Sequence, residues 1–168
     1  IVSSPHIYGG TWNLFSNTLK QFGIEVRYAD PENPNSFADL TDDKTRAYFG
    51  ETLPNPRLKV FPIEEVANIG NKNNIPLILD NTASPITCKP IDFGASIIVH
   101  SLTKYVGGHG TSIGGIIVDS GNFDWTKDKD RQPLFNKPDQ SYHGAIWGEL
   151  VPEALGAPIA YAIRARVV

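Results

Sequence analysis

Two short apolar runs that stop abruptly at polar residues constrain this chain more than anything else in it. Pro76–Leu79 stops at Asp80, and Ser96–Val99 stops at His100 and Ser101; a third run covers Ile113–Val118. Runs of this length, separated by a helix and loops, predict strands buried on both faces of a largely parallel sheet. The expected fold class is α/β, a mostly parallel sheet flanked by helices. Open sheets of this kind take ligands beyond the carboxyl ends of their strands. Asp80 and the segment His100–Lys104 are therefore the first candidates for chemistry.

The rest of the chain reads more locally. Gly10–Phe22 spaces Trp12, Phe15, Leu19 and Phe22 three and four apart, one face of a helix, with Gly23 as its stop. Ile24–Tyr28 alternates like a strand, Asp30–Ser36 reads as a loop, Arg46–Phe49 as a strand and Leu53–Pro56 as a turn. Pro62 suits the first turn of a helix running to about Lys72, with Glu64 and Glu65 at its positive end. Asn122–Gln140 reads as an extended loop, and Ala154–Val168 as helix without a stop signal. No Met opens the chain and none occurs in it, so a piece of something larger is expected.

Composition excludes more than it assigns. At 168 residues the chain fits one domain. Fifteen basic against 18 acidic residues, with no basic block, argue against a nucleic-acid partner. No apolar run approaches the length of a membrane span, and no leader is visible. One cysteine, Cys88, cannot form an intrachain disulfide, which fits a cytoplasmic location. It reads as a packing residue, and no metal ligands are assigned.

A lone lysine is by default a solvated surface group, but the context of Lys104 changes the odds. Ser101 and Thr103 precede it at alternate positions and Gly107 and Gly108 follow. Hydroxyls and free backbone N–H groups are phosphate ligands, so the lysine has room to bond an aldehyde while they hold a phosphate. Asp80 has two readings. It caps a turn ahead of Asn81 and Thr82, the simpler account taken alone, or its carboxylate keeps a pyridine ring nitrogen protonated. The glycines from Gly107 to Gly115 fit neither nucleotide pattern. The P-loop lysine follows its glycines, whereas Lys104 precedes them; Gly108, Gly110 and Gly114 are one residue too wide for the dinucleotide fingerprint. A turn leading into a strand is the better account, and His109 is given no role.

These residues resemble the Cys/Met-metabolism family of pyridoxal-phosphate enzymes, of the aspartate-aminotransferase type (fold type I). The resemblance covers nearly the whole chain. Tyr8-Gly9-Gly10-Thr11 is similar to the segment whose tyrosine stacks on the cofactor ring. Glu51-Thr52-Leu53-Pro54-Asn55-Pro56 is similar to the segment whose asparagine reaches the phenolic oxygen. Asp80-Asn81-Thr82 matches the pyridine-nitrogen aspartate, and Ser101-x-Thr103-Lys104 the phosphate and Schiff-base segment. Four motifs in the right order lift Asp80 above its role as a cap. Within the family, the stretch from Lys104 to Gly115, Phe123-Asp124-Trp125 and Ser141-Tyr142-His143-Gly144 look most like the O-acetylhomoserine sulfhydrylase branch.

The resemblance implies pyridoxal 5'-phosphate as cofactor and γ-replacement on O-acetylhomoserine by sulfide or a small thiol, part of methionine biosynthesis. It implies Lys104 and Tyr8 as catalytic residues, with Asp80, Tyr8, Asn55, Ser101, Thr103 and Lys104 holding the cofactor. Glu51 is expected to orient its neighbours, and Thr82 is left out of the set. Residues 1–168 are expected to form part of the cofactor-binding large domain. The family's N-terminal arm, upstream phosphate loop and C-terminal substrate domain have no counterpart in this span, so the span alone is expected to be inactive. The intact protein is expected to be a homo-oligomer, a dimer or tetramer. Two alternatives stay open: a cystathionine γ-synthase or methionine γ-lyase of the same family, and a non-catalytic α/β module binding a phosphate ligand.

Overall fold

A computed structural model describes residues 1–167. Six strands form one sheet: β1 (Val2–Ser3), β2 (Arg27–Tyr28), β3 (Tyr48–Glu51), β4 (Leu77–Asp80), β5 (Ile97–Ser101) and β6 (Gly115–Asp119). Their order across the sheet is β2-β1-β3-β4-β5-β6. All neighbouring pairs are parallel except β5 with β6, which is antiparallel. The α/β expectation is met, and the third apolar run supplies the single antiparallel edge.

The helices are α1 (Gly9–Asn13), α2 (Leu19–Gln21), α3 (Asn35–Asp39), α4 (Ile63–Lys72), α5 (Pro133–Asn136), α6 (Trp147–Leu155) and α7 (Ala160–Val167). The sheet separates two apolar clusters because successive strand side chains point to opposite faces. Leu77, Leu79 and Ile98 join Phe37, Tyr48, Phe61 and Val66 on one face. Ile97, with Ile78 and Val99, joins Phe123, Trp125, Phe135 and Trp147 on the other. Helix α4 packs on the first face through Ile63, Val66, Ala67 and Gly70, spaced for one helical side. Gly70 is required there: a Cβ would lie 2.5 Å from the Ile75 carbonyl oxygen.

Several sequence expectations shift. The helix predicted over Gly10–Phe22 runs from Gly9 to Gln21 with a π-helical stretch at Leu14–Thr18, and Gly23 ends it at φ 73°. Of its predicted apolar stripe only Phe15 is buried; Trp12 is 46% and Phe22 75% exposed. The first strand, β1, has only two residues and carries no pattern to read. The strand expected at Ile24–Tyr28 shortens to Arg27–Tyr28, and the loop expected at Asp30–Ser36 enters α3 at Asn35. The strand expected at Arg46–Phe49 moves two residues on, which brings Glu51 into the ladder.

Asn122–Gln140 is not an extended loop. It contains α5 and buries Phe123, Trp125 and Phe135 against the sheet. Arg131 fastens it, donating from Nη1 to the carbonyls of Asp42 (2.7 Å) and Thr45 (2.8 Å). The helix expected over Ala154–Val168 is two helices: α6 ends at the left-handed Gly156, and Pro158 precedes α7. Val168 lies outside the described residues. Cys88 is half-buried against the first cluster, and burial pushes its thiol pKa up.

Phe37 is fully buried, with its ring edge-on to Tyr48 at 5.4 Å and to Phe61 at 6.0 Å. Phe37→Ala leaves a cavity between α3 and the sheet and is expected to cost about 3–5 kcal/mol. Urea unfolding of the two proteins checks this through the shift in midpoint.

Candidate active site

Parallel pairing brings the carboxyl ends of β1, β3, β4 and β5 to one edge. The ladder sets Glu51 opposite Asp80 and Asp80 opposite Val99, two residues before Ser101. Tyr8 follows β1, Asn55 follows β3, Asp80 closes β4, and Ser101 closes β5 with Thr103 and Lys104 beyond it. Every residue singled out in the sequence therefore lies at this edge.

Glu51 and Asp80 are register partners, so their side chains leave the same face of the sheet. Glu51 is only 6% exposed. Burial pushes its pKa up to about 7, the neighbouring charge of Asp80 adds to the rise, and the N–H groups of Tyr8 and Asn55 oppose it. Among the described residues neither carboxyl group has a lysine, arginine or histidine within ion-pair distance. The edge thus sets two carboxyl groups on one face.

Asp80 is held by its own chain. Its Oδ1 accepts the N–H of Thr82 at 2.8 Å, and the Thr82 hydroxyl oxygen accepts the N–H of Ser101 at 2.8 Å. Thr82 therefore ties the end of β4 to the end of β5. Both sequence readings of Asp80 meet here, since it makes the turn contact while its remaining oxygen is left for a ligand.

Beyond β5 the backbone turns sharply. Lys104 N–H donates to the Ser101 carbonyl (3.3 Å), Gly107 N–H to Leu102 (2.8 Å) and Gly108 N–H to Lys104 (2.8 Å). A Cβ on Gly107 would sit 2.6 Å from the Leu102 oxygen. The glycine cluster is a turn into β6, as its spacing suggested. Lys104 is exposed and its ammonium has no ion-pair partner among the described residues. The Thr103 hydroxyl accepts the Gly114 N–H (3.1 Å) and donates to the Gly114 carbonyl (3.4 Å), so it is already engaged. Tyr8 is half exposed, its ring lying over the Gly10 backbone, where a Cβ would meet it at 2.7 Å. Asn55 is exposed, in the turn after β3.

The donor set fits an anionic, aldehyde-bearing heterocycle with a cationic ring nitrogen. Two carboxyl groups share a face at β3 and β4, an exposed lysine follows β5, and the Ser101 and Thr103 hydroxyls precede it in the chain. Thr82, which the sequence reading set aside, is the residue that ties the two strand ends together. Among the described residues no three His, Cys, Asp or Glu side chains gather as a metal site. No helix there is long and apolar enough to cross a membrane.

Residues 1–152 match the sequence profile of the Cys/Met metabolism PLP-dependent enzyme family. An O-acetyl-L-homoserine sulfhydrylase of Leptospira meyeri is 45% identical over 172 residues, covering 99% of this chain and 38% of that protein. A homocysteine/cysteine synthase of Saccharomyces cerevisiae is 46% identical over 151 residues, covering 89% of this chain and 34% of that protein. Among solved structures, a candidate O-acetylhomoserine (thiol)-lyase of Campylobacter jejuni, carrying a pyridoxyl-lysine phosphate, superposes with a TM-score of 0.81. It is 38% identical, over 95% of this chain and 42% of that one. The chain thus spans little more than a third of the curated relatives it matches.

Glu51 gives a pH signature. Its folded pKa, about 7, lies above the ordinary 4.5. A raised carboxyl pKa means the folded state holds a proton that the unfolded state has released between those values. Stability therefore falls as pH rises from about 4.5 to about 7, by up to about 1.4 kcal/mol per pH unit, and levels off above. Glu51→Gln removes this slope. Urea unfolding of both proteins across that window should show their difference changing in this sense, and a constant difference would contradict it.

Proposed function

The chain belongs to the Cys/Met metabolism PLP-dependent enzyme family, and from that premise we propose that its protein replaces the acetate of O-acetylhomoserine with sulfide or a small thiol. The products are homocysteine, or methionine from methanethiol, and acetate. The observation that carries this reading is the edge itself. Asp80 and Glu51 stand in register, Ser101 closes the adjoining strand, and Lys104 lies three residues beyond it. The identity to sulfhydrylases over 99% of the chain supports the choice of reaction.

Pyridoxal phosphate, when bound, supplies an electron sink for the charge that develops at the substrate's Cα. The protein's own groups do the rest. Lys104 would hold the cofactor's aldehyde through its amine and would carry the Cα proton. Asp80 would hold the ring-nitrogen proton while Thr82 fixes its Oδ1. Asn55 would serve the phenolic oxygen, and Tyr8 would provide a stacking wall and a second proton-transfer group. Ser101 and Thr103 would hold phosphate.

We read residues 1–168 as part of the large cofactor-holding domain, within a homo-oligomer. A cytoplasmic location goes with this reading. Cystathionine γ-synthase and methionine γ-lyase activities are the neighbouring alternatives. O-acetylhomoserine plus sulfide, assayed beside methionine alone, separates them by product.

Borohydride reduction of the full-length protein should add the mass of the cofactor at Lys104. Absence of that adduct in a folded protein would refute the cofactor assignment, and leave a phosphate-binding module. Asp80→Asn should keep the adduct but lower kcat by about a hundredfold or more, because a charge-stabilising partner is lost from the reacting ring. An unchanged kcat would remove Asp80 from the site.

A further inference from the structure

Strand order reverses between β1 and β3. From β1 the chain goes to β2 on one side, then returns to build β3, β4 and β5 on the other. The crevice between the carboxyl ends of β1 and β3 is the topological switch point, where open α/β sheets take their ligands. Glu51 bridges that crevice. Its Oε1 accepts the Tyr8 N–H at 2.5 Å from 43 residues away. The side chain shares a face with its register partner Asp80.

A carboxyl group that is 6% exposed beside a second carboxylate, with no cation near it, is an expensive way to fill a strand end. An aliphatic residue would pack there at lower cost but accept no N–H. The N–H donor that Glu51 serves belongs to Tyr8. The Tyr8 side chain has no hydrogen bond of its own among the described residues, so its backbone anchor decides where it starts.

We propose that Glu51 is a positioning residue whose carboxyl oxygen fixes the Tyr8 backbone at the switch-point crevice, setting the stacking contact through one side chain. The proposal rests on the cofactor reading given above. Glu51 acts through the Tyr8 loop. Acceptance of the Tyr8 N–H is its contribution, and an amide oxygen at the same reach should replace it.

The test uses the full-length protein with Glu51→Gln, Glu51→Asp and Glu51→Ala. Hydrogen exchange of peptides containing Tyr8 is measured without cofactor. Cofactor dissociation constant and visible absorption maximum are measured with it. Loss of this hydrogen bond should speed exchange at the Tyr8 loop and weaken cofactor binding by about tenfold or more in the Ala variant. The Asp variant, too short to reach, should behave alike and serves if the Ala variant fails to fold. The Gln variant should stay within about threefold of wild type, with its absorption maximum unmoved. Wild-type exchange and affinity in the Ala or Asp variant would overturn the proposal. So would a natively folded Gln variant as impaired as the Ala variant. If the wild type forms no Lys104 adduct, the cofactor reading fails by itself, and loop exchange alone decides whether Glu51 is the clamp.

Discussion

The register of three parallel strands governs everything functional in this structure. Tyr48–Glu51 pairs with Leu77–Asp80, and Ile78–Asp80 with Ile97–Val99. Side chains alternate along a strand, so a one-residue slip of β3 would turn Glu51 away from Asp80 and expose Tyr48. The burial of Tyr48, Leu77, Leu79 and Ile97 forbids that slip, since each is no more than 1% exposed. Packing in the middle of the sheet thus fixes electrostatics at its edge. The apolar runs matter less as strands than as rulers that decide where the following polar residues stand.

Those polar residues form an unbalanced group. Glu51 and Asp80 share one face, and backbone N–H groups from Tyr8 and Thr82 supply what compensation the chain itself offers. Neutral donors offset part of a buried charge, whereas a cation offsets more. Burial, with the Asp80 charge adding to it, raises the pKa of Glu51 to about 7. The two acids differ in partner: Glu51 takes an N–H from the loop after β1, Asp80 one from its own turn.

What was legible in the sequence follows from this division. β4, β5 and α4 were readable because their patterns are periodic and buried. Trp125 and Phe135 were not, because their spacing in a polar stretch fits no period; their packing is made by tertiary contact with Ile78 and Ile97. β1 was invisible at two residues, since its place is set by neighbours on both sides. At the site, Lys104 and Asp80 announced themselves by following apolar runs. Thr82 did not, because its task is a hydrogen bond to Ser101, 19 residues on. The placement of Glu51 likewise depended on a two-residue error in β3 being corrected.

The order of the motifs now has a physical cause. Tyr8, Asn55, Asp80 and the Ser101–Lys104 segment follow β1, β3, β4 and β5, which are consecutive neighbours in the sheet. β2, whose carboxyl end lies on the far side of β1, contributes none of them. Each motif alone is a common turn or cap. Their sequence along the chain reproduces the left-to-right order of strand ends around one crevice, with the intervening lengths taken up by crossovers such as α4. A chain that preserved every motif but exchanged two strands would scatter them along the edge. Four motifs in order therefore specify a geometry, and this is why their joint presence carries information that no single lysine or aspartate can.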